Sequence, residues 1–336
     1  MGLAGLATAP PPAVAGPPSA TGARAQCGAE TPTPGSSPSG IVEMGGAAFF
    51  LADDGVHGRE LWTSDGTASG TVLVKDVAKA DGYYDGPSAL TAAGSNVFFT
   101  ADDGTHGREL WRSDGTAAGT VLVKDIDPGE ESYYSGPRSL TAVGDMLFFT
   151  TDDGVHGREL WRTDGTRAGT VRLTNTPAAG YYDNGPSHLT AVGDTLFFTA
   201  DDGVHGQELW SSDGTRAGTA MVEEIRPGEY GSTPSGLAAR GDTVFFTARD
   251  GVHGAELWRS DGTEAGTALV KNINPGAASA RPRYLTESGG TMFFTADDGQ
   301  QEGALWKTDG TEAGTVLVKD VDAGDSDYGA AYLTDV

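Results

Sequence analysis

Residues 152–166 read DDGVHGRELWRTDGT, and residues 201–215 read DDGVHGQELWSSDGT. A catalytic constellation is normally assembled once in a chain. A polar sentence written twice, nearly word for word, points to architecture before chemistry, and internal repeats decide a fold more firmly than any local propensity. The six tryptophans carry the pattern further. They are Trp62, Trp111, Trp161, Trp210, Trp258 and Trp306, spaced by 49, 50, 49, 48 and 48 residues. Every tryptophan of the 336-residue chain therefore sits at the same place in a repeat.

One unit, read from Gly136, is GPRSLTAVGDMLFFTTDDGVHGRELWRTDGTRAGTVRLTN. It divides into RSLTAV, MLFFTT, RELWRT and TVRLTN, with Gly-Asp, Asp-Asp-Gly and Asp-Gly-Thr between them. Each segment is rich in β-branched and aromatic residues and ends at turn-forming ones, which reads as a short strand. None has helical periodicity over a useful length. Four short strands in a repeat of this length predict an all-β chain, a β-propeller of six four-stranded antiparallel blades. A parallel β-helix would use a shorter repeat. The paired phenylalanines (Phe98 and Phe99, Phe148 and Phe149, Phe197 and Phe198) and the tryptophans are the expected fillers between blades.

The repeats run from near Ser36 to near Val321. The tail YGAAYLTDV, residues 328–336, resembles RPRYLTESG at the start of the sixth unit. It reads as the first strand of a seventh unit: either a spare strand on a six-bladed ring, or the sign of a longer repeat array. The expected organisation is thus a leader over residues 1–35 and a propeller over 36–336. The leader is dominated by Ala, Pro, Gly, Ser and Thr with almost no charge. Such a composition buries no core and reads as a linker or a signal-peptide remnant, GLAGLATA resembling the end of an apolar signal segment. Cys27, the one cysteine, lies in it, so no intrachain disulfide forms.

With 47 acidic and 22 basic residues the net charge is −25. That balance argues against nucleic acid and anionic membrane surfaces, both of which require Lys and Arg. No run of 18 apolar residues is present, so no membrane span is expected.

The third segments and the turns that follow them read ELWTSDGTASGT, ELWRSDGTAAGT, ELWRTDGTRAGT, ELWSSDGTRAGT, ELWRSDGTEAGT and ALWKTDGTEAGT. They resemble the bacterial ELWxxDGT repeat, also labelled hyalin-like, over nearly all of residues 36–336. That resemblance implies a propeller-like scaffold and a secreted or cell-surface location. It implies no activity. The sixth copy departs from it, with Ala304 where the others carry Glu60, Glu109, Glu159, Glu208 and Glu256.

Three sets of residues are candidates for a role. Asp65, Asp114, Asp164, Asp213, Asp261 and Asp309 each precede Gly-Thr in the turn between the third and fourth strands. Asp there accepts backbone N–H groups of its own turn, a structural role similar to that of the Asp-box turn of sialidase-like propellers. The alternative is a Ca²⁺ site in each blade, but alternating acidic ligands are missing. No metal or other cofactor is expected. The second set is His57, His106, His156, His205 and His253, in the turn between the second and third strands. In an antiparallel blade this turn shares a rim with the connection to the next blade. Those connections carry the third set, Tyr83 and Tyr84, Tyr133 and Tyr134, Tyr181 and Tyr182, and then Tyr230. One His per blade spreads ligands too far apart for a zinc site. The histidines read as turn-satisfying groups or as part of a ligand-binding rim, and the tyrosines as blade-junction cover or as stacking platforms. The repeated Glu reads as a partner of a neighbouring turn or of an Arg.

A nucleophile–base pair is not legible. His188 has no obvious Ser or Asp partner set, and no G-x-S-x-G, H-E-x-x-H or P-loop occurs. The sequence therefore favours a secreted or surface propeller that binds a glycan or protein on its loop rim. The alternatives are a glycan-processing hydrolase or lyase on the same scaffold, and a structural matrix protein.

Overall fold

In FFT, the motif at the heart of each second strand, neighbouring side chains point to opposite faces of the sheet. A strand that is apolar on both faces must be covered on both, and the chain does this by stacking sheets. The computed structural model describes residues 35–78, 86–128, 136–176 and 185–320. By internal contacts the chain divides into residues 1–35 and 36–336, and the account below concerns the second unit.

That unit is all-β, with six four-stranded antiparallel sheets and strand order one-two-three-four in each. It is a β-propeller of six blades, spanning residues 39–75, 88–124, 138–172, 187–223, 235–271 and 283–319. Blade three consists of Arg138–Val143, Met146–Asp152, Arg158–Thr163 and Val171–Arg172. The first strands of successive blades run beside one another, so they form the inner wall. No helix occurs among the described residues, and none there could cross a membrane.

Each phenylalanine pair is split between two junctions. Phe98, with Leu110 and Val123, faces blade three and meets Leu147, Phe149 and Trp161. Phe99 faces the other way, in a cluster with Phe49, Leu51 and Val74 of blade one. We call the side of a blade that meets the preceding blade its leading face and the other its trailing face. The same arrangement recurs between blades three and four, four and five, and five and six. Lysines on the fourth strands lock three of these junctions. Lys75 Nζ donates to Thr120 O at 2.8 Å and lies 5.9 Å above the Trp111 ring. Lys124 does the same with Thr170 O and Trp161, and Lys271 with Thr315 O and Trp306.

The pairing of first and second strands is irregular in every blade. The second residue of each first strand has positive φ: Gly40, Ala89, Ser139, His188, Gly236 and Tyr284. A bulge there turns the inner strand, and four blades force it onto residues with a β-carbon.

Candidate ligand-binding rim

The turn between the second and third strands is built by two consecutive aspartates in five blades, and by Asp250 after Arg249 in blade five. Asp152 Oδ1 accepts Gly154 N–H at 2.9 Å. Asp153 Oδ1 accepts the N–H groups of Val155 and His156, and its Oδ2 lies 2.8 Å from His156 Nδ1. This is the physical content of Asp-Asp-Gly-x-His. The first carboxylate starts the turn, the second closes it, and the imidazole clamps the second. The pairs Asp54–His57, Asp103–His106, Asp202–His205 and Asp250–His253 repeat it at 2.7–2.9 Å. In blade six Gln300 and Gln301 replace the last two residues, and Asp298 still accepts both their N–H groups.

The aspartates beside three of the imidazoles, Asp54, Asp103 and Asp202, favour the charged ring. They raise the affinity of His57, His106 and His205 for a proton above the ordinary value. The His57 N–H and ring hold the Asp54 carboxyl down at about 2. Each of the five histidines keeps about a third of its side chain exposed, 33–39%. At the tip of four of these turns a valine stands out in solvent: Val56, Val155, Val204 and Val252 are 65–79% exposed. Blade two has Thr105 there.

The turn lies against the chain running from its own blade to the next. Thr233 N donates to Gln207 O at 3.0 Å, and Gly206 is packed against the backbone of Glu229, Tyr230 and Gly231 so closely that a β-carbon would clash. Tyr230 therefore stands beside the Asp202–His205 turn, exposed, with the Arg226 guanidinium 5.4 Å from its ring centre. Tyr83, Tyr84, Tyr133, Tyr134, Tyr181 and Tyr182 lie outside the described residues.

The glutamate of ELW is buried and holds that same connection. Glu208 Oε1 accepts Arg226 N–H at 3.1 Å and Ser232 N–H at 2.9 Å, and its Oε2 takes the Ser232 hydroxyl. Glu256 accepts Ile273 N–H and Ala280 N–H on its two oxygens. Glu60, Glu109 and Glu159 accept the N–H groups of Ala78, of Ile126 and Asp127, and of Thr176. Arg59, Arg108 and Arg158, beside Glu60, Glu109 and Glu159, point to the opposite sheet face because strand side chains alternate. Arg108 instead reaches Ser88 Oγ, Thr100 Oγ1 and Gly86 O. Burial pushes the carboxyls of Glu60, Glu109 and Glu256 up to about 7.

On the turn between the third and fourth strands, Asp164 Oδ1 accepts Thr166 N–H at 2.8 Å and its hydroxyl at 2.7 Å. The Thr166 hydroxyl oxygen in turn accepts Gly169 N–H. The same bonds form at Asp65, Asp114, Asp213, Asp261 and Asp309. Among the described residues no three His, Cys, Asp or Glu side chains gather in a group that could hold a metal ion.

The sequence reading missed two features of the wall and the rim. One is the line of positive-φ residues, where His188 Nδ1 lies 3.3 Å from Ser187 Oγ and 3.2 Å from Thr199 Oγ1. Its signal was faint, since Gly occupies the position in only two blades. The other is the repeated exposed valine, which the repeat itself spelled out as DGVHG in four blades.

No family model and no curated protein matches the chain. Solved structures do. Oligopeptidase B from Trypanosoma brucei with bound antipain is similar over 86% of this chain and 42% of its own, at 14% identity and a TM-score of 0.51. A puromycin hydrolase is similar over 88% of this chain and 55% of its own, at 14% identity and a TM-score of 0.46. TolB from Acinetobacter baumannii is similar over 79% of this chain and 61% of its own, at 13% identity and a TM-score of 0.37. The chain spans about half the length of the puromycin hydrolase and less than half that of oligopeptidase B. At such identities the likeness to oligopeptidase B speaks for the propeller scaffold alone.

Proposed function

We propose that this chain is a secreted or cell-surface propeller of the ELWxxDGT-repeat kind that binds a glycan or protein through its Asp-Asp-Gly-x-His rim. The observation that carries the reading is the valine at the tip of four of these turns, 65–79% exposed and held in place by two aspartates in three of them and by Asp250 alone in blade five. Such a side chain contributes little to folding, and a repeated apolar point on a rigid polar turn suits contact with a ligand. The partly exposed histidines and Tyr230 supply polar and aromatic groups on the same rim. The acidic net charge of −25 disfavours nucleic acid as that ligand.

The test is binding of the intact protein to an array of surface polysaccharides and to immobilised extracellular-matrix proteins. The triple variant V155S/V204S/V252S is then compared with wild type. Affinity for any ligand found is expected to fall by about 1–3 kcal/mol, the range of a moderate hot spot. The melting temperature is expected to stay within a degree or two. Unchanged affinity in the triple variant would move the binding face elsewhere.

A further inference from the structure

Among the described residues, four of the five blade junctions are crossed by a cationic side chain that donates to a carbonyl of the neighbouring blade. Lys75, Lys124 and Lys271 reach Thr120 O, Thr170 O and Thr315 O. Between blades three and four, Arg216 Nε donates to Arg172 O at 2.8 Å. The junction between blades four and five is built differently. Strand pairing sets Lys75 opposite Leu61, Lys124 opposite Leu110 and Lys271 opposite Leu257, and in blade four it sets Glu223 opposite Leu209. A carboxyl group therefore stands on the trailing face where three other blades carry an ammonium.

The leading face it meets keeps the usual parts. Trp258 packs in one cluster with Leu209 and with Val222, the neighbour of Glu223. Thr267 ends DGTEAGT as Thr120 ends DGTAAGT, so its carbonyl takes the place of the acceptor at the other junctions. Among the described residues Glu223 Oε2 is buried with no hydrogen-bond partner. Two acceptors that face each other without a donor repel, and a buried acceptor left unmet costs stability. A carboxylic acid carries the missing hydrogen and a carboxylate does not. The surroundings favour the acid. Burial, and then the charge of Glu264 across the junction, hold the Glu223 carboxyl above its ordinary range. Leu209, Trp258 and Leu269 are uncharged, and the adjacent Glu224 accepts Gly228 N–H within its own connection.

We propose that Glu223 is a proton-operated latch between blades four and five. Its protonated carboxyl donates to Thr267 O and closes the junction. Loss of that proton to water leaves a carboxylate facing the carbonyl and Glu264, and the junction loosens. The latch lies at the root of the rim, because the connection that carries Arg226 and Tyr230 begins at the next residue. A group whose affinity for a proton is raised by folding contributes stability at low pH that is lost as pH rises through its folded value.

Thermal melting of the full chain from pH 5 to pH 8 tests this by difference, since the other titrating groups are common to every variant. Glu223→Gln keeps an N–H donor at any pH. It is expected to melt within about a degree of wild type at pH 5 and about 2 °C or more above it at pH 8. Glu223→Lys rebuilds the lock of the other junctions, and is expected to melt above wild type throughout, by a gap that widens with pH. Hydrogen exchange, corrected for its intrinsic pH dependence, is expected to quicken along Thr219–Glu223 and Ala268–Lys271 in wild type and not in Glu223→Gln. Where either variant fails to give the wild-type far-UV spectrum, Glu264→Gln removes the facing charge and leaves the latch in place. Its melting temperature is expected to fall less steeply with pH than that of wild type. The proposal is overturned by a gap between Glu223→Gln and wild type that is the same at pH 5 and pH 8, by exchange that quickens equally in both, or by a Glu264→Gln variant that follows wild type.

Discussion

The carboxylate of Asp164 occupies the space in which a β-carbon on Gly169 would sit. The same overlap joins Asp65 to Gly70, Asp114 to Gly119, Asp213 to Gly218, Asp261 to Gly266 and Asp309 to Gly314. This explains why the motif continues as DGT-x-x-GT. The aspartate folds back to accept two bonds from its own threonine, and only glycine leaves room for it.

The two residues should therefore be coupled. Asp164→Ala removes local bonds and is expected to destabilise the fold by about 1 kcal/mol. Gly169→Ala drives a methyl group into the carboxylate and should destabilise by about 2–4 kcal/mol. The double variant should lose clearly less than the sum, because the alanine at position 164 vacates the space. Denaturant unfolding of the three variants measures this, and strict additivity would contradict the geometry.

The positive-φ position in the inner strand predicts a gain. Ala89 has φ of +56°, and Gly40 and Gly236 occupy its place in blades one and five. Left-handed backbone costs an L-residue about 1–2 kcal/mol, and added freedom of glycine in the unfolded chain returns about 0.4–1 kcal/mol of that. Ala89→Gly is therefore expected to stabilise by about 0.5–1 kcal/mol. A lower melting temperature in the variant would be the contrary result.

The buried glutamates and rim histidines make stability depend on pH in one direction. Glu60, Glu109 and Glu256 bind a proton more tightly folded, at about 7, than in the ordinary range near 4.5. His57, His106 and His205 are likewise raised above 6.5. A raised value contributes stability that is complete below the unfolded value and lost as pH rises through the folded one. Asp54, lowered from 3.8 to about 2, contributes above 3.8 and loses that as pH falls toward 2. Stability should peak between these limits and decline from pH 5 to pH 8. Thermal scans are expected to show the melting temperature falling by several degrees, with a shallower fall in Glu109→Gln. A melting temperature that rises over that interval would contradict it.

The connection clasp can be tested in blade five. Glu256→Ala leaves Ile273 N–H and Ala280 N–H without their acceptor in a buried place. It is expected to destabilise by about 2–3 kcal/mol. Hydrogen exchange should show the loss first at those two amides, and protection unchanged there would mean the clasp lies elsewhere.

Much of this protein is written in the order of its residues. Turn-bounded strands repeated at the tryptophan spacing determine six four-stranded sheets, because pleat alternation and turn chemistry act over a few residues. The double apolar face of FFT determines that the sheets must stack. What the sequence left open was settled by contacts between residues far apart in the chain. Glu208 could have paired with an Arg, but the fold buries it under the connection at Ser232, where backbone N–H groups need an acceptor. Equivalent residues also diverge by position in the array. Leu257 and Leu305 stand in the same motif, yet the first is sealed by the next blade and the second is not. Burial is a property of neighbours, and the repeat alone does not say which blade has one.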